Sequence, residues 1–164
     1  MALGKPGLEY RKADRADVGA LVDLRIEFMR IVKDSGLPDE ARWRAELAAR
    51  FAFELASQEL VAWICLDAGA VVASSGLACP ASDAARAELG LGPGEALILN
   101  MFTLPPYRRR GIAAELLRLS IGEARSRGLA KLRLQSTDDG RSLYERAGFC
   151  FLRRGERCDM TLDL

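Results

Sequence analysis

The stretch Ala96-Leu97-Ile98-Leu99-Asn100-Met101-Phe102-Thr103-Leu104 constrains the fold more than any other part of the sequence. It is nearly continuous in apolar, β-prone residues and is stopped by Pro105-Pro106, so it reads as a strand buried on both faces. Such a strand lies inside a sheet covered by helices on both sides, which puts the chain in the α/β class. The next segment supplies one cover. Ile112, Leu116, Leu117, Ile121 and Ala124 recur with helical period in a helix of about 109–127 that ends at Gly128.

The remaining elements follow from the same periodicities. Residues 8–12 alternate as a first strand, and Asp14 or Asp17 caps the helix after it, whose apolar side runs from Val18 to Val32. Gly36 and Pro38 end that helix and introduce a second over about 39–57, with Trp43, Leu47, Phe51 and Leu55 at four-residue spacing. Residues 60–66 and 70–77 flank a short Gly-containing turn and read as a hairpin. Residues 79–95, rich in Gly and Pro, form a loop with a helical turn or two around 82–89, and a loop of that length is often functional. Residues 131–135 alternate as a strand, a short helix of about 139–147 stops at Gly148, and 149–153 with 156–162 close the chain as paired strands. The result is a single mixed α/β domain over 1–164, in the order β-α-α-β-β-β-α-β-α-β-β.

Composition removes several chemistries. The chain has no histidine, so neither a Ser-His-Asp triad nor a Cys-His pair can form, and acid–base work falls to carboxylates, Tyr, Lys, Cys or the substrate. Cys65, Cys79, Cys150 and Cys158 are dispersed with no C-x-x-C pair, so no metal site is expected. A covalent route through Cys65 or Cys150 lacks a histidine to activate the thiol. Net charge is +1, yet residues 1–100 hold 11 Lys/Arg against 15 Asp/Glu while residues 101–164 hold 13 against 8. That asymmetry suits an anionic ligand on the C-terminal half. No apolar run nears the roughly 20 residues of a membrane helix, and residues 1–7 lack the layout of a secretion signal, so a cytoplasmic protein without membrane contact is expected.

The most informative junction is Arg108-Arg109-Arg110-Gly111-Ile112-Ala113, between the buried strand and the amphipathic helix. The first turn of a helix offers backbone N–H groups without internal partners and a partial positive charge. Gly111 removes a side chain where an anion must approach the backbone, and the arginines add planar donors suited to phosphate. The spacing is neither a Walker loop nor a three-glycine dinucleotide fingerprint.

This segment resembles the pyrophosphate-binding motif [QR]-x-x-G-x-[GA] of the GCN5-related N-acetyltransferase (GNAT) superfamily, with Arg108 first, Gly111 as the glycine and Ala113 last. Leu143-Tyr144-Glu145-Arg146-Ala147-Gly148-Phe149 is similar to the L-Y-E-x-x-G-F signature of its second motif, and Asn100-Met101-Phe102-Thr103 resembles the splayed fourth strand of bacterial members. The two motifs are about 30 residues apart, and the element order agrees from about residue 8 onward. The resemblance implies the acyl-CoA N-acyltransferase fold and an enzyme of the bacterial small-acceptor type, moving acetyl from acetyl-CoA to a small-molecule or peptide amine. Backbone N–H groups from Arg109 to Ala113, Ile112 among them, would hold the pyrophosphate, and Met101, Phe102 and Thr103 would pair with the pantetheine arm. An N–H at or near Met101 would polarise the thioester carbonyl, and Tyr144 would protonate the leaving thiolate.

Departures bear on this reading. Where members often carry an Asn that contacts the pantetheine, this sequence offers Ser136, Thr137 and Asp138, of which Ser136 is the candidate. No family base carries over; Glu95, just before the fourth strand, is the best-placed carboxylate, and Glu27 with Asp34 offers a site for a cationic acceptor. A non-catalytic acyl-CoA sensor would use the same cradle, but the presence of Tyr144 favours an enzyme. Nucleic-acid binding through the arginines needs a broader basic surface than a net +1 provides, so no nucleic acid is expected. The exposed final strands point to a homodimer.

Overall fold

The computed structural model describes residues 7–33, 38–152 and 159–164. Strand β1 (Leu8–Lys12) is followed by a capping box: the Asp14 carboxylate accepts from the Ala16 N–H at 2.7 Å, and Asp17 accepts from the Asp14 N–H at 2.8 Å. Of the two expected candidates Asp14 is the N-cap and Asp17 its reciprocal partner three residues on, starting a 3-10 turn that continues into α1 (Val18–Lys33). Arg11 grips the nearly buried Asp17 at 2.7 and 2.9 Å, and this hydrogen bonding holds its carboxyl below the usual carboxylate range. The chain continues through α2 (Glu40–Ala56), β2 (Leu60–Asp67), β3 (Ala70–Ala78), α3 (Asp83–Glu88) and β4 (Glu95–Thr103). It then forms α4 (Ile112–Ser126), β5 (Lys131–Gln135), α5 (Arg141–Arg146), β6 (Cys150–Phe151) and β7 (Asp159–Asp163).

The seven strands make one mixed sheet in the order β1-β2-β3-β4-β5-β7-β6, antiparallel throughout except for the β4–β5 pair. Strand β2 shows how sequence alternation serves two layers. Its Leu60, Ala62, Ile64 and Leu66 pack with Leu21, Ile26 and Phe51 of α1 and α2. Its Val61 joins Leu77, Ile98, Leu117 and Leu132 in the core beneath α4. Each such aliphatic side chain fully removed from water stabilises the fold by about 1.5–3 kcal/mol. A polar contact lies in this layer: the fully buried Ser75 and Ser120 hydroxyls meet at 3.0 Å between β3 and α4.

Strand β4 departs from the expected burial on both faces. Ala96 and Ile98 are buried under α4 and Phe102 is buried too, but Leu97, Leu99, Met101 and Thr103 are only half-buried. The cause is a β-bulge. Gly76 pairs with Leu99 whereas Ser74 pairs with Phe102, so β4 carries one extra residue, absorbed where Asn100 adopts φ +53°. Asn tolerates this left-handed conformation better than β-branched residues do, and the Ser74 hydroxyl donates to the Asn100 carbonyl at 3.1 Å. Beyond the bulge the alternation is inverted, which sends Phe102 to the α1 side, edge-on to Phe28 at 5.7 Å. Pairing of β4 with β5 ends at Leu97–Arg133.

Two boundaries also shift. Helix α4 begins at Ile112 rather than 109, because Arg109 (φ +63°) and Gly111 (φ +80°) lie outside helical space. The closing strands are short among the described residues, and 153–158, including part of the expected final pair and Cys158, lie outside them. Gly36 and Asp34 lie outside the described residues as well.

Candidate active site

After β4, Pro105–Tyr107 make a 3-10 turn and Arg108 is extended, with left-handed Arg109 and Gly111 on either side of Arg110. Among the described residues, the six consecutive N–H groups from Arg109 to Ala114 donate no hydrogen bond; the ladder resumes with Glu115 N–H to the Gly111 carbonyl at 3.1 Å. Alternating left-handed residues and a helix N-terminus turn such N–H groups toward one another's side, a concavity that suits an anion. A Cβ added at Gly111 would meet no protein atom within 4 Å, so the space over this backbone is open.

The side chains divide the work. Arg108 donates Nε–H to the Thr103 carbonyl at 3.1 Å and lies over Phe102 at 5.7 Å, while Arg110 stacks on Tyr107 at 5.0 Å. Arg109 is exposed and makes no hydrogen bond or ion pair among the described residues. Ile112 is buried with Val72 and Leu116, so its side chain anchors the turn and only its N–H faces outward; Ala113 is half-buried. Glu115, the acidic residue of the first turn, is held by Arg118 at 2.6 Å, and that hydrogen bond lowers its pKa.

From Ile98 to Thr103 the edge of β4 toward β5 has no strand partner among the described residues. Tyr144 of α5 reaches this edge: its hydroxyl donates to Met101 Sδ at 3.5 Å. The ring is buried, packs edge-on to Phe149 at 6.0 Å, and burial pushes the phenol up to about 12. Gly140 permits this placement, since a Cβ there would sit 3.1 Å from the Tyr144 ring. The Thr103 hydroxyl is buried without a partner among the described residues, an available donor and acceptor at the end of the same strand. Ser136, just beyond β5, donates to the Thr137 carbonyl at 2.8 Å. A groove of about 420 Å³ between α4 and α5, lined in part by Arg118, Arg125 and Arg146, runs alongside.

Thus Met101, Thr103, Tyr144 and the turn at 108–113 gather around one open strand edge. Phe102 offers only its backbone there, because the bulge turns its ring away. Glu95, expected as the base, is not brought to this edge. Its carboxylate accepts the Gly92 N–H at 2.9 Å and faces Arg133 at 3.5 Å, and six residues of strand, roughly 20 Å, separate it from Met101. It anchors the loop instead. Glu27 is half-buried and paired with Arg30 at 3.4 Å.

A second, narrow cleft lies on the opposite face of β4. Leu21, Arg25 and Phe28 of α1 line it above Ser74, Asn100 and Phe102, and its volume of about 10 Å³ is room for about one water. Sequence reasoning missed Arg25. The available signal was a charge at position 25 among Leu21, Leu24 and Phe28, which share one helical face. Burial, and secondarily the like charge of Arg50, holds its pKa below the usual arginine range. Among the described residues no group of three or more Cys, Asp or Glu is arranged to hold a metal. None of the described helices is long and apolar enough to cross a membrane.

Residues 20–149 match the family described as acetyltransferase (GNAT). No curated protein matches the chain by sequence. Among solved structures, a predicted acetyltransferase of Clostridium acetobutylicum with acetyl-CoA is 29% identical, with a TM-score of 0.71 over 96% of this chain and 95% of that one. A GCN5-related N-acetyltransferase of Ralstonia eutropha shares the fold at 23% identity, with a TM-score of 0.73 over 92% and 97%. The PaiA N-acetyltransferase of Thermoplasma acidophilum, in complex with coenzyme A, does so at 16% identity, with a TM-score of 0.72 over 96% and 99%.

Proposed function

The chain belongs to the GNAT acetyltransferase family, and from that premise we propose that it transfers acetyl from acetyl-CoA to the amine of a small molecule or peptide by direct attack in a ternary complex. The observation that carries this reading is the Tyr144 hydroxyl at the unpaired edge of β4, on the same strand that leads into the unbonded N–H run at 109–114. The run, with the arginines beside it, would bind the pyrophosphate of acetyl-CoA, and the open edge of β4 would take the pantetheine arm as an added strand. The basic groove between α4 and α5 is suited to the adenosine phosphate end. Ser136, just beyond β5, would contact the pantetheine only by giving up its bond to Thr137.

In the chemical step the neutral amine attacks the thioester carbon, and an N–H near Met101 stabilises the developing oxyanion. The C–N bond forms, the C–S bond breaks, the phenolic proton of Tyr144 moves to sulfur, and the proton lost by the amine returns through water to the Tyr144 oxygen. A phenol at about 12 looks too weak an acid for a thiolate. However, burial that disfavours the phenolate also disfavours a thiolate beside it, which narrows the difference between the two acids. We assign Glu95 to the loop, where it accepts the Gly92 N–H, and not to this step.

The test is Tyr144→Phe, which removes one hydroxyl and keeps the buried ring. The expected result is a fall in kcat of about 100-fold or more with acetyl-CoA affinity unchanged, read by coenzyme A release and by titration. Unchanged kcat would remove Tyr144 from the chemistry.

A further inference from the structure

One cation of the molecule has no task in the steps above. Arg25 lines the cleft on the outer face of the β4 bulge, its guanidinium 5.4 Å from the Phe28 ring, and makes no hydrogen bond or ion pair among the described residues. Its neighbours on α1 and α2 behave otherwise: Arg30 and Arg44 hold Glu40 and Asp23, and Arg50 is turned to Glu54 at 2.8 Å. No carboxylate lines the cleft. A half-buried guanidinium without an anion has given up hydration for the face of one ring, its N–H donors are left without acceptors, and its planar fork matches a carboxylate.

The position adds direction. The floor of the cleft is Ser74, Asn100 and Phe102, and Asn100 adjoins Met101, where the Tyr144 hydroxyl arrives from the other side. A molecule in this cleft would have one end at the bulge and the other at Arg25. Its middle would lie against Leu21, Leu24 and Phe28, an apolar wall.

We propose that the acceptor is an amine that also carries a carboxylate, an amino acid or short peptide with an apolar side chain, and that Arg25 binds the carboxylate while the amine faces the bulge. The proposal rests on the acetyl-transfer reading above. Two consequences follow from charge. A cation beside the site lowers the pKa of the acceptor amine, raising the share of neutral nucleophile, and it disfavours polyamines, which bring further positive charge. The cleft holds about one water, so α1 and α2 must move outward as the acceptor enters.

The experiment measures coenzyme A release with leucine, methionine and phenylalanine, each beside its amide and its decarboxylated amine, in the parent, Arg25→Gln and Arg25→Lys. Acetyl-CoA affinity is titrated in parallel. The expected parent prefers the carboxylate-bearing member by about 30-fold or more in kcat/KM. Arg25→Gln loses that preference mainly through KM, Arg25→Lys keeps part of it, and both bind acetyl-CoA like the parent. Both variants are expected to stay folded, because Arg25 leaves behind no hydrogen-bond or ion-pair partner, only its contact with the Phe28 ring. Equal use of the amides or amines, a preference that survives in Arg25→Gln, or no turnover of any carboxylate-bearing member while acetyl-CoA binds would each overturn the proposal alone. A folded parent that does not bind acetyl-CoA would overturn the acetyl-transfer reading and this one with it.

Discussion

At the scale of the residue, burial decides what Tyr144 can do. A phenol raised to about 12 stays protonated across the working range, so it is always ready to donate and never serves as the base. The same shift sets a sign for stability. The unfolded phenol ionises near 10 and the folded one near 12, so the folded state retains a proton the unfolded state has released. The stabilising contribution is complete below pH 10 and is lost as pH rises toward 12, by roughly 3 kcal/mol. Tyr10 is raised to about 12 as well, chiefly by burial, and contributes in the same window. Denaturant midpoints from pH 9 to 12 should therefore fall more steeply for the parent than for Tyr144→Phe, and parallel curves would contradict the burial-driven shift.

At the scale of the element, contact between α4 and the sheet depends on a small polar pair as well as on apolar residues. Ser120→Ala leaves the buried Ser75 hydroxyl without its partner and should cost about 1–3 kcal/mol, while the double change to Ala should recover most of that. A double-mutant cycle by denaturant unfolding measures the difference, and additive single effects would contradict the pairing. This pair also marks where reading the sequence stopped short, since a serine at position 120 on the helix and one at 75 on the strand say nothing about each other. Elements with a clean period were legible: β1 and β5 lie where alternation put them, and Gly128 and Gly148 end helices at positive φ. The near-continuous apolarity of 96–104 hid the bulge, because pairing with β3 turns Phe102 away from the side of Ile98. Asn100, the lone polar residue inside that run, was the signal available. The turn at 108–113 and Tyr144 were legible as local motifs, whereas the placement of Glu95 was not, because proximity in sequence to a strand says nothing about which end of it lies beside Tyr144.

At the scale of the whole molecule, the parting of β4 from β5 leaves an open edge on one side of the strand, opposite the cleft under α1. On one side lie the N–H run, Met101, Thr103 and Tyr144; on the other lies the cleft under α1 with Arg25. The bulge at Asn100 lies between them, so in the proposed ternary complex the two ligands would meet there. Acetyl-CoA binding to the folded state alone would also raise its stability, by about 2.7 kcal/mol at a hundred times its Kd, enough to lift Tm by several degrees. The most direct measurement of the central claim is isothermal titration of acetyl-CoA into the parent and into an Arg108→Ala, Gly111→Glu double variant. The predicted result is micromolar binding by the parent that the variant loses while remaining folded, since the new carboxylate would occupy the open space over the N–H run. A folded parent that shows no heat of binding, or a variant that binds as well as the parent, would contradict it.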